Sequence, residues 1–317
     1  MTAITRVDAF APATVANLGV GFDILGLALQ APGDIVRAEW GGDDPCAALV
    51  AIEGDNGLLP RDAKNTAIVS ANHLLKTLKA RRGVNLTIYK HLPLASGLGS
   101  SAASAVAAVV AVNALFGEPL TRADLLPSCL EGEAAVSGYH ADNVAPALFG
   151  GITLVTGTSA HQILQLPVPA DLHLALVTPD VAVPTALARA VLPKEVPLRT
   201  LVAQTAGVAR VIDALYRGDI PSLAAAMESD SVIEPARAHL MPRLAEMRLI
   251  AKNAGAYGLV ISGAGPTLCA VCASAAAAQR IAEAMKKHYD AAGIASAARH
   301  TLVATGGAVI LETGSEK

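Results

Sequence analysis

The 317-residue sequence has few aromatics: Phe, Trp and Tyr together make up 3% of it. Its cores must be built from aliphatic side chains, and the apolar fraction of 53% is ample for that. Charge is also scarce. The net value of −3 at pH 7 argues against a general nucleic-acid surface. Apolar runs are broken by Gly, Pro or charge before they reach membrane-spanning length. The alanine-rich stretch 102–116 contains Ser104 and Asn113 and is too short. Met1–Phe10 carries no cleavable signal and reads as the start of a strand, so a cytoplasmic protein is expected. There are four cysteines, and only Cys269 and Cys272 have a spacing that raises metal or redox chemistry. They sit in TLCAVCA, a strand-like segment in which residues three apart face opposite sides. Two small buried hydrophobes are therefore expected, not a ligand pair.

The length exceeds one typical domain, and strands and helices mix in both halves, so two α+β modules are expected. The turn-rich stretch 157–170 suggests a division into residues 1–160 and 161–317. Strands are expected at 5–10, 34–40, 84–90 and 152–156, with a turn-rich segment at 11–23 between the first two. Helices are expected at 64–79, 100–116 and 121–136, the last capped by Thr121. In the second half, strands are expected at 172–178, 257–262, 268–273 and 307–311. Helices there fall near 185–191, 200–216, 223–229, 242–254 and 274–289.

Residues 93–104, PLASGLGSSAAS, carry the most information. Gly97 and Gly99 permit a left-handed backbone and close approach of a ligand. A helix then opens at Ser100 or Ser101, and its first N–H groups and positive dipole end make an anion site. The loop lacks the lysine of a P-loop. Gly97, Gly99 and Ala102 also fit a loose dinucleotide pattern, whose acid would be Glu118 in FGEP, followed by helical sequence. A nucleoside triphosphate, a dinucleotide and a ligand-free turn all remain open owners of this loop. Glu131 and Glu133 on the next helix could hold Mg²⁺ beside phosphates, or form a solvated acidic patch. His140, Asp142 and Asn143 cluster before an apolar helix that either of the last two could cap.

Three segments, APATVANLGVGFDILGLAL, PLASGLGSSAAS and SGAGPT at 262–267, together resemble the GHMP small-molecule kinases. Within that group, PATVANLGVGFD, HADNVAPALFGG and the pairing of VPTALAR with IEPAR resemble the homoserine kinase family, over nearly the whole chain. The resemblance implies a two-domain GHMP kinase fold. Its N-terminal domain would be a ribosomal-protein-like βαβ unit and its C-terminal domain ferredoxin-like. It also implies ATP and Mg²⁺, L-homoserine as acceptor, O-phosphohomoserine as product in threonine biosynthesis, and neither nucleic acid nor membrane as partner. A homodimer is compatible with it.

By the same resemblance Pro93, Ser96, Gly97, Leu98, Gly99, Ser100, Ser101 and Ala102 would wrap the ATP phosphates, with Asn65 and Lys90 near the adenosine. Ser100 and Glu133 would hold Mg²⁺, and Gly263–Gly265 would support the site. Arg189 and Arg237 would grip the substrate carboxylate, a task suited to guanidinium. Asp23 and Asp142 would take the ammonium, with Thr14, Asn17, His140, Asn143 and Thr185 fixing orientation. Asn143 would lie nearest the reacting hydroxyl, with Asp142 and Asn17 beside it. PATVANLG has no lysine where related kinases often carry one, so in-line transfer without a strong general base is expected. The SGYH link is one residue shorter than the family's SGSPH. This leaves Glu131 and Glu133 as alternatives and places Tyr139 at a wall of the pocket.

Overall fold

In the computed structural model, which describes residues 4–315, the first strand continues well past its alternating start. β1 (Ile4–Ala16) pairs throughout with β2 (Leu25–Trp40). The segment read as turn-rich is strand as far as Ala16, because β2 pairs with it and its small residues are buried. The ladder shifts register between Pro12 and Thr14, where proline cannot donate. Only residues 17–24 form the turn, with Asn17, Leu18 and Asp23 in left-handed conformation. Residues 1–3 of the expected strand start lie outside the described residues.

β3 (Ala47–Glu53), α1 (Thr66–Thr77), β4 (Val84–Tyr89), α2 (Ser100–Leu115), α3 (Arg122–Ala134), α4 (Ala141–Phe149), β5 (Ile152–Val155) and β6 (Ile163–Leu166) follow. The second half runs β7 (His173–Pro179), α5 (Thr185–Ala190), α6 (Leu198–Arg217), α7 (Ile220–Met227), α8 (Ile233–Arg237) and α9 (Leu244–Asn253). It ends with β8 (Gly258–Ile261), β9 (Leu268–Cys272), α10 (Ala275–Ala291), β10 (Ser296–Leu302) and β11 (Val309–Ser315).

The first sheet has the order β11-β1-β2-β4-β3, with β5 joined to β2 and β6. β3 runs parallel to β4, and the other pairs are antiparallel. The second sheet is antiparallel in the order β10-β7-β9-β8, the ferredoxin-like arrangement. The sheets do not divide at residue 160. β6 closes a hairpin on β5, and β11 returns to cover the free edge of β1, so both belong to the first sheet. β3, β6, β10 and α8 are elements that local sequence pattern did not mark. β3 shows why: it buries only Ala47 and Ile52 and is held at an edge by β4.

α2 has no polar face, and every residue from Ala102 to Leu115 is buried. It lies on β1 and β2 and is covered by α1, α3 and α4. Alanines let these neighbours approach closely. This packing fixes α2, and with it the helix N-terminus that the glycine loop precedes. Cys269 and Cys272 lie on β9, buried and free, and belong to different cores. The strand alternation separates them as expected. Among the described residues, no helix is long and apolar enough to cross a membrane.

Candidate active site

A cleft of about 390 Å³ opens between the two sheets' helices, and the loop at 94–101 forms its floor. The backbone there is left-handed at Ala95, Gly97 and Gly99. Gly99 is the N-cap of α2 and offers no side-chain hydrogen bond, so the first-turn amides have no cap. A Cβ on Gly99 would strike Thr14 Oγ1 and come within 2.8 Å of Asn143 Oδ1. One on Gly97 would strike Ser262 O and lie 2.8 Å from Gly265 N. Gly97→Ala therefore meets backbone that cannot swing aside. It is expected to lower stability by about 1–3 kcal/mol, read as a fall in the urea midpoint.

The glycine turn at 262–267 supports this loop from behind. Ser262 Oγ donates to Gly97 O (2.7 Å), and Thr267 N donates to Ser96 O (3.1 Å). Pro93, Leu98 and Ala102 shape the loop without facing the cleft: Leu98 and Ala102 are buried, and Leu98 O accepts from Thr14 N at 3.1 Å.

Five side chains are placed differently from their sequence expectation. Asn65 lines the cleft, but its side chain is used locally. Its Oδ1 caps α1 through Ala67 N (3.0 Å), and its Nδ2 donates to Pro60 O (2.9 Å). Lys90 does not extend freely into the cleft. Its ammonium is buried, pairs with Asp34, and donates to Ser100 O (3.1 Å), Ser100 Oγ (2.6 Å) and Ser104 Oγ (2.9 Å). Burial pushes its pKa down, against the pull of Asp34. The loop therefore does have a lysine at its side, supplied by the end of β4, where a loop motif could not reveal it.

Ser100 is held by that lysine, and the hydroxyl facing Glu133 is Ser101's, at 2.9 Å from Oε2. Successive helical residues point about 100° apart, so one serine turns to β4 and the next to α3. The hydroxyl bonded to Glu133 is thus that of Ser101, where Ser100 was the expected neighbour. Glu133 is 5% exposed, also accepts from Ser137 Oγ, and has its pKa raised chiefly by burial. Glu131 points outward and accepts from Tyr139 Oη (2.8 Å). Thr14 is wholly buried. Its Oγ1 donates to Asn143 Oδ1 (2.6 Å), so it orients Asn143 and does not reach the cleft.

Asp142 and Asn143 do not cap α4, whose N-cap is His140. Both face the cleft. Asp142 is 4% exposed, and its carboxyl is pushed up to about 7, first by burial and then by Asp23 and Glu133. Across the cleft, Arg189 Nη1 and Nη2 grip Asp23 at 3.0 and 2.9 Å. His140 Nδ1 lies 3.5 Å from the same carboxylate; burial lowers its pKa and Asp23 opposes this. Arg237, 3% exposed, donates to Ala188 O and Gly263 O, both at 3.0 Å. Asn17 is structural here, donating to Gly263 O (2.9 Å) and accepting from Asp23 N (3.1 Å). Thr185 lines the rim. Sequence reasoning missed Phe22, Ser104 and Ser137, and the scarcity of aromatics was a signal for the first. Glu118 lies exposed at the far end of α2, about 24 Å of helix from the loop, out of reach of any dinucleotide bound there.

An amide cradle, a buried carboxylate beside it and two arginines thus face one cleft. The model of the GHMP kinases N terminal domain matches residues 65–151, a span that holds the loop, Glu133 and His140–Asn143. That of the GHMP kinases C terminal domain matches residues 211–291. Fold and site together define the class as a GHMP kinase.

The structure of homoserine kinase from Cytophaga hutchinsonii superposes with a TM-score of 0.92 at 42% identity, covering 96% of this chain and 97% of that one. Homoserine kinase of Chloroherpeton thalassium is 40% identical over 90% of this chain and 92% of its own length. That of Arabidopsis thaliana is 43% identical over 89% and 78% respectively. The chain belongs to the homoserine kinase family. Mevalonate kinase of L. major, at 20% identity and a TM-score of 0.73, shares the fold.

Proposed function

We propose that the chain transfers the γ-phosphoryl group of ATP to the side-chain hydroxyl of L-homoserine, giving O-phospho-L-homoserine for threonine biosynthesis. The observation that carries this is the opposition, in one cleft, of a phosphate-type amide cradle to Arg189, Arg237, Asp23 and Asp142. Two arginines suit an acceptor with a carboxylate and gain nothing from a neutral sugar. Asp23 and Arg189 satisfy each other across the cleft. A zwitterionic acceptor brings an ammonium for one and a carboxylate for the other, so their exchange need leave neither charge unpaired.

Uncapped amides at the start of α2 receive the ATP phosphates. Ser101 and Glu133 form a hard-oxygen pair beside them, of the kind that suits Mg²⁺. Ser101 and Glu133 would hold Mg²⁺ there, and the ion would supply positive charge against the charge that develops during transfer. Asn143, held by Thr14 through its oxygen, is left with its amide N–H groups to orient the acceptor hydroxyl. Rate then comes from positioning and electrostatics.

The direct test is ADP release across L-homoserine, mevalonate, galactose and shikimate. Turnover with L-homoserine is expected, and turnover confined to another alcohol would refute the acceptor. ADP release with none of them would point to a binding protein without transfer.

Asp142 must be ionised to meet an ammonium. Its carboxyl is pushed up to about 7, so kcat/KM for L-homoserine is expected to rise with pH through about 7. In Asp142→Asn that limb should vanish, and kcat/KM should fall at every pH. The same shift has the opposite sign for stability. A carboxyl whose folded pKa is raised stabilises the fold most below about 4 and loses that contribution as pH climbs to about 7. Asp142→Asn should therefore melt no lower than the parent at pH 8.

A further inference from the structure

Phenylalanine is rare in this chain, with four in 317 residues, and one of them, Phe22, lines the cleft beside both arginines. The Arg237 guanidinium carbon lies 5.2 Å from the Phe22 ring centroid, and that of Arg189 lies 5.6 Å from it. We infer that Phe22 is the positioning residue that sets the carboxylate specificity of the acceptor site, its ring holding both guanidinium groups against one surface. The inference rests on the reading of the acceptor as an amino acid.

Two cations so close repel, and Arg189 is among the groups that destabilise the charged form of Arg237. The negative face of an aromatic ring offsets part of that repulsion, which an aliphatic side chain cannot do. Donors remain unspent on both arginines. Arg237 uses Nε and Nη1 on carbonyls, and its Nη2 has no partner among the described residues. Arg189 uses both Nη on Asp23, and its Nε is buried without a partner. A carboxylate lying against the pair finds these donors only while both guanidinium groups stay where the ring holds them.

The ring itself is fixed by the backbone on either side. Val20 N donates to Met227 O (3.2 Å), Gly21 O accepts from Ile24 N (3.1 Å) and Leu25 N (2.9 Å), and Asp23 N donates to Asn17 Oδ1. Asp23 makes its direct ion pair with Arg189 and acts on Arg237 only through longer-range attraction, so it does not hold the second guanidinium in place.

The test compares L-homoserine with 3-aminopropan-1-ol, which lacks the carboxylate, as acceptors for the parent, Phe22→Leu and Phe22→Tyr. Loss of two cation–ring contacts should lower kcat/KM of Phe22→Leu for L-homoserine by about tenfold more than for the amino alcohol. The change should appear in KM for L-homoserine, with a smaller shift in KM for ATP, and Phe22→Tyr should restore the parent ratio. Equal losses on both acceptors, or an unaltered KM, would overturn the inference. If Phe22→Leu does not fold, pentafluorophenylalanine at position 22 inverts the ring's charge distribution at similar shape. It should produce the same selective loss, and failure to do so overturns the inference equally. Parent enzyme inactive on L-homoserine would refute the acceptor reading. Active parent with an unchanged Phe22→Leu would refute the role of Phe22 alone.

Discussion

Glu133→Gln is expected to lower kcat by about a thousandfold or more while the protein stays folded. The amide keeps an oxygen for Ser101 and a shape close to that of glutamate, so what disappears is the charge. Cation-assisted charge neutralisation supplies several kcal/mol in phosphoryl transfer, and each ~1.4 kcal/mol is tenfold in rate. ADP release at saturating ATP, measured across Mg²⁺ concentrations, reads the effect, and the variant should need more Mg²⁺ for what activity remains. Stability should move the other way. Burial raises the Glu133 pKa, so its ionisation costs the fold stability as pH rises above the ordinary carboxylate range. Glu133→Gln should therefore melt no lower than the parent at pH 8 without Mg²⁺. Glu131→Gln, at a half-buried position turned away from the cleft and bonded to Tyr139, should change kcat little. The reverse pattern, with Glu131 essential and Glu133 dispensable, would reassign the cation site.

Lys90→Met should be the most destabilising single change considered, at about 3–5 kcal/mol, because it strands Asp34 as an unpaired buried carboxylate. Asp34 keeps the backbone N–H groups of His91 (2.9 Å) and Leu92 (3.1 Å), which soften the loss without supplying a charge. Urea unfolding reads the change. The double variant Asp34→Asn/Lys90→Met should recover part of it, since no buried charge is then left unpaired. KM for ATP should rise in both variants, because Lys90 also ties down Ser100 and Ser104 in the first turn of α2. A Lys90→Met protein as stable as the parent would show that the pair does not exist in solution.

Much of the architecture was legible because it is written locally. Thr121 and Ser274 cap their helices, and the long helices at 100 and 274 begin and end within two residues of expectation. The elements that escaped are those made by pairing. β3 and β10 have little burial of their own and exist because β4 and β7 hold them. The continuation of β1 through APATVA escaped for a related reason, since proline and small residues read as turn until β2 lies alongside.

For the site, the sequence by itself determined the chemical inventory: a glycine loop opening a helix, an acid on the next helix, a cluster at 140–143, two arginines, and the family they resemble. Only the tertiary structure decided which atom faces which. It turned Ser101 and not Ser100 to Glu133, engaged Lys90 with Asp34, placed Thr14 behind Asn143, and laid both arginines on Phe22. The reason is geometric. Neighbouring residues on a helix point about 100° apart, and which of them meets the cleft depends on the packing of α2 against β4 and α3, contacts made between residues far apart in sequence.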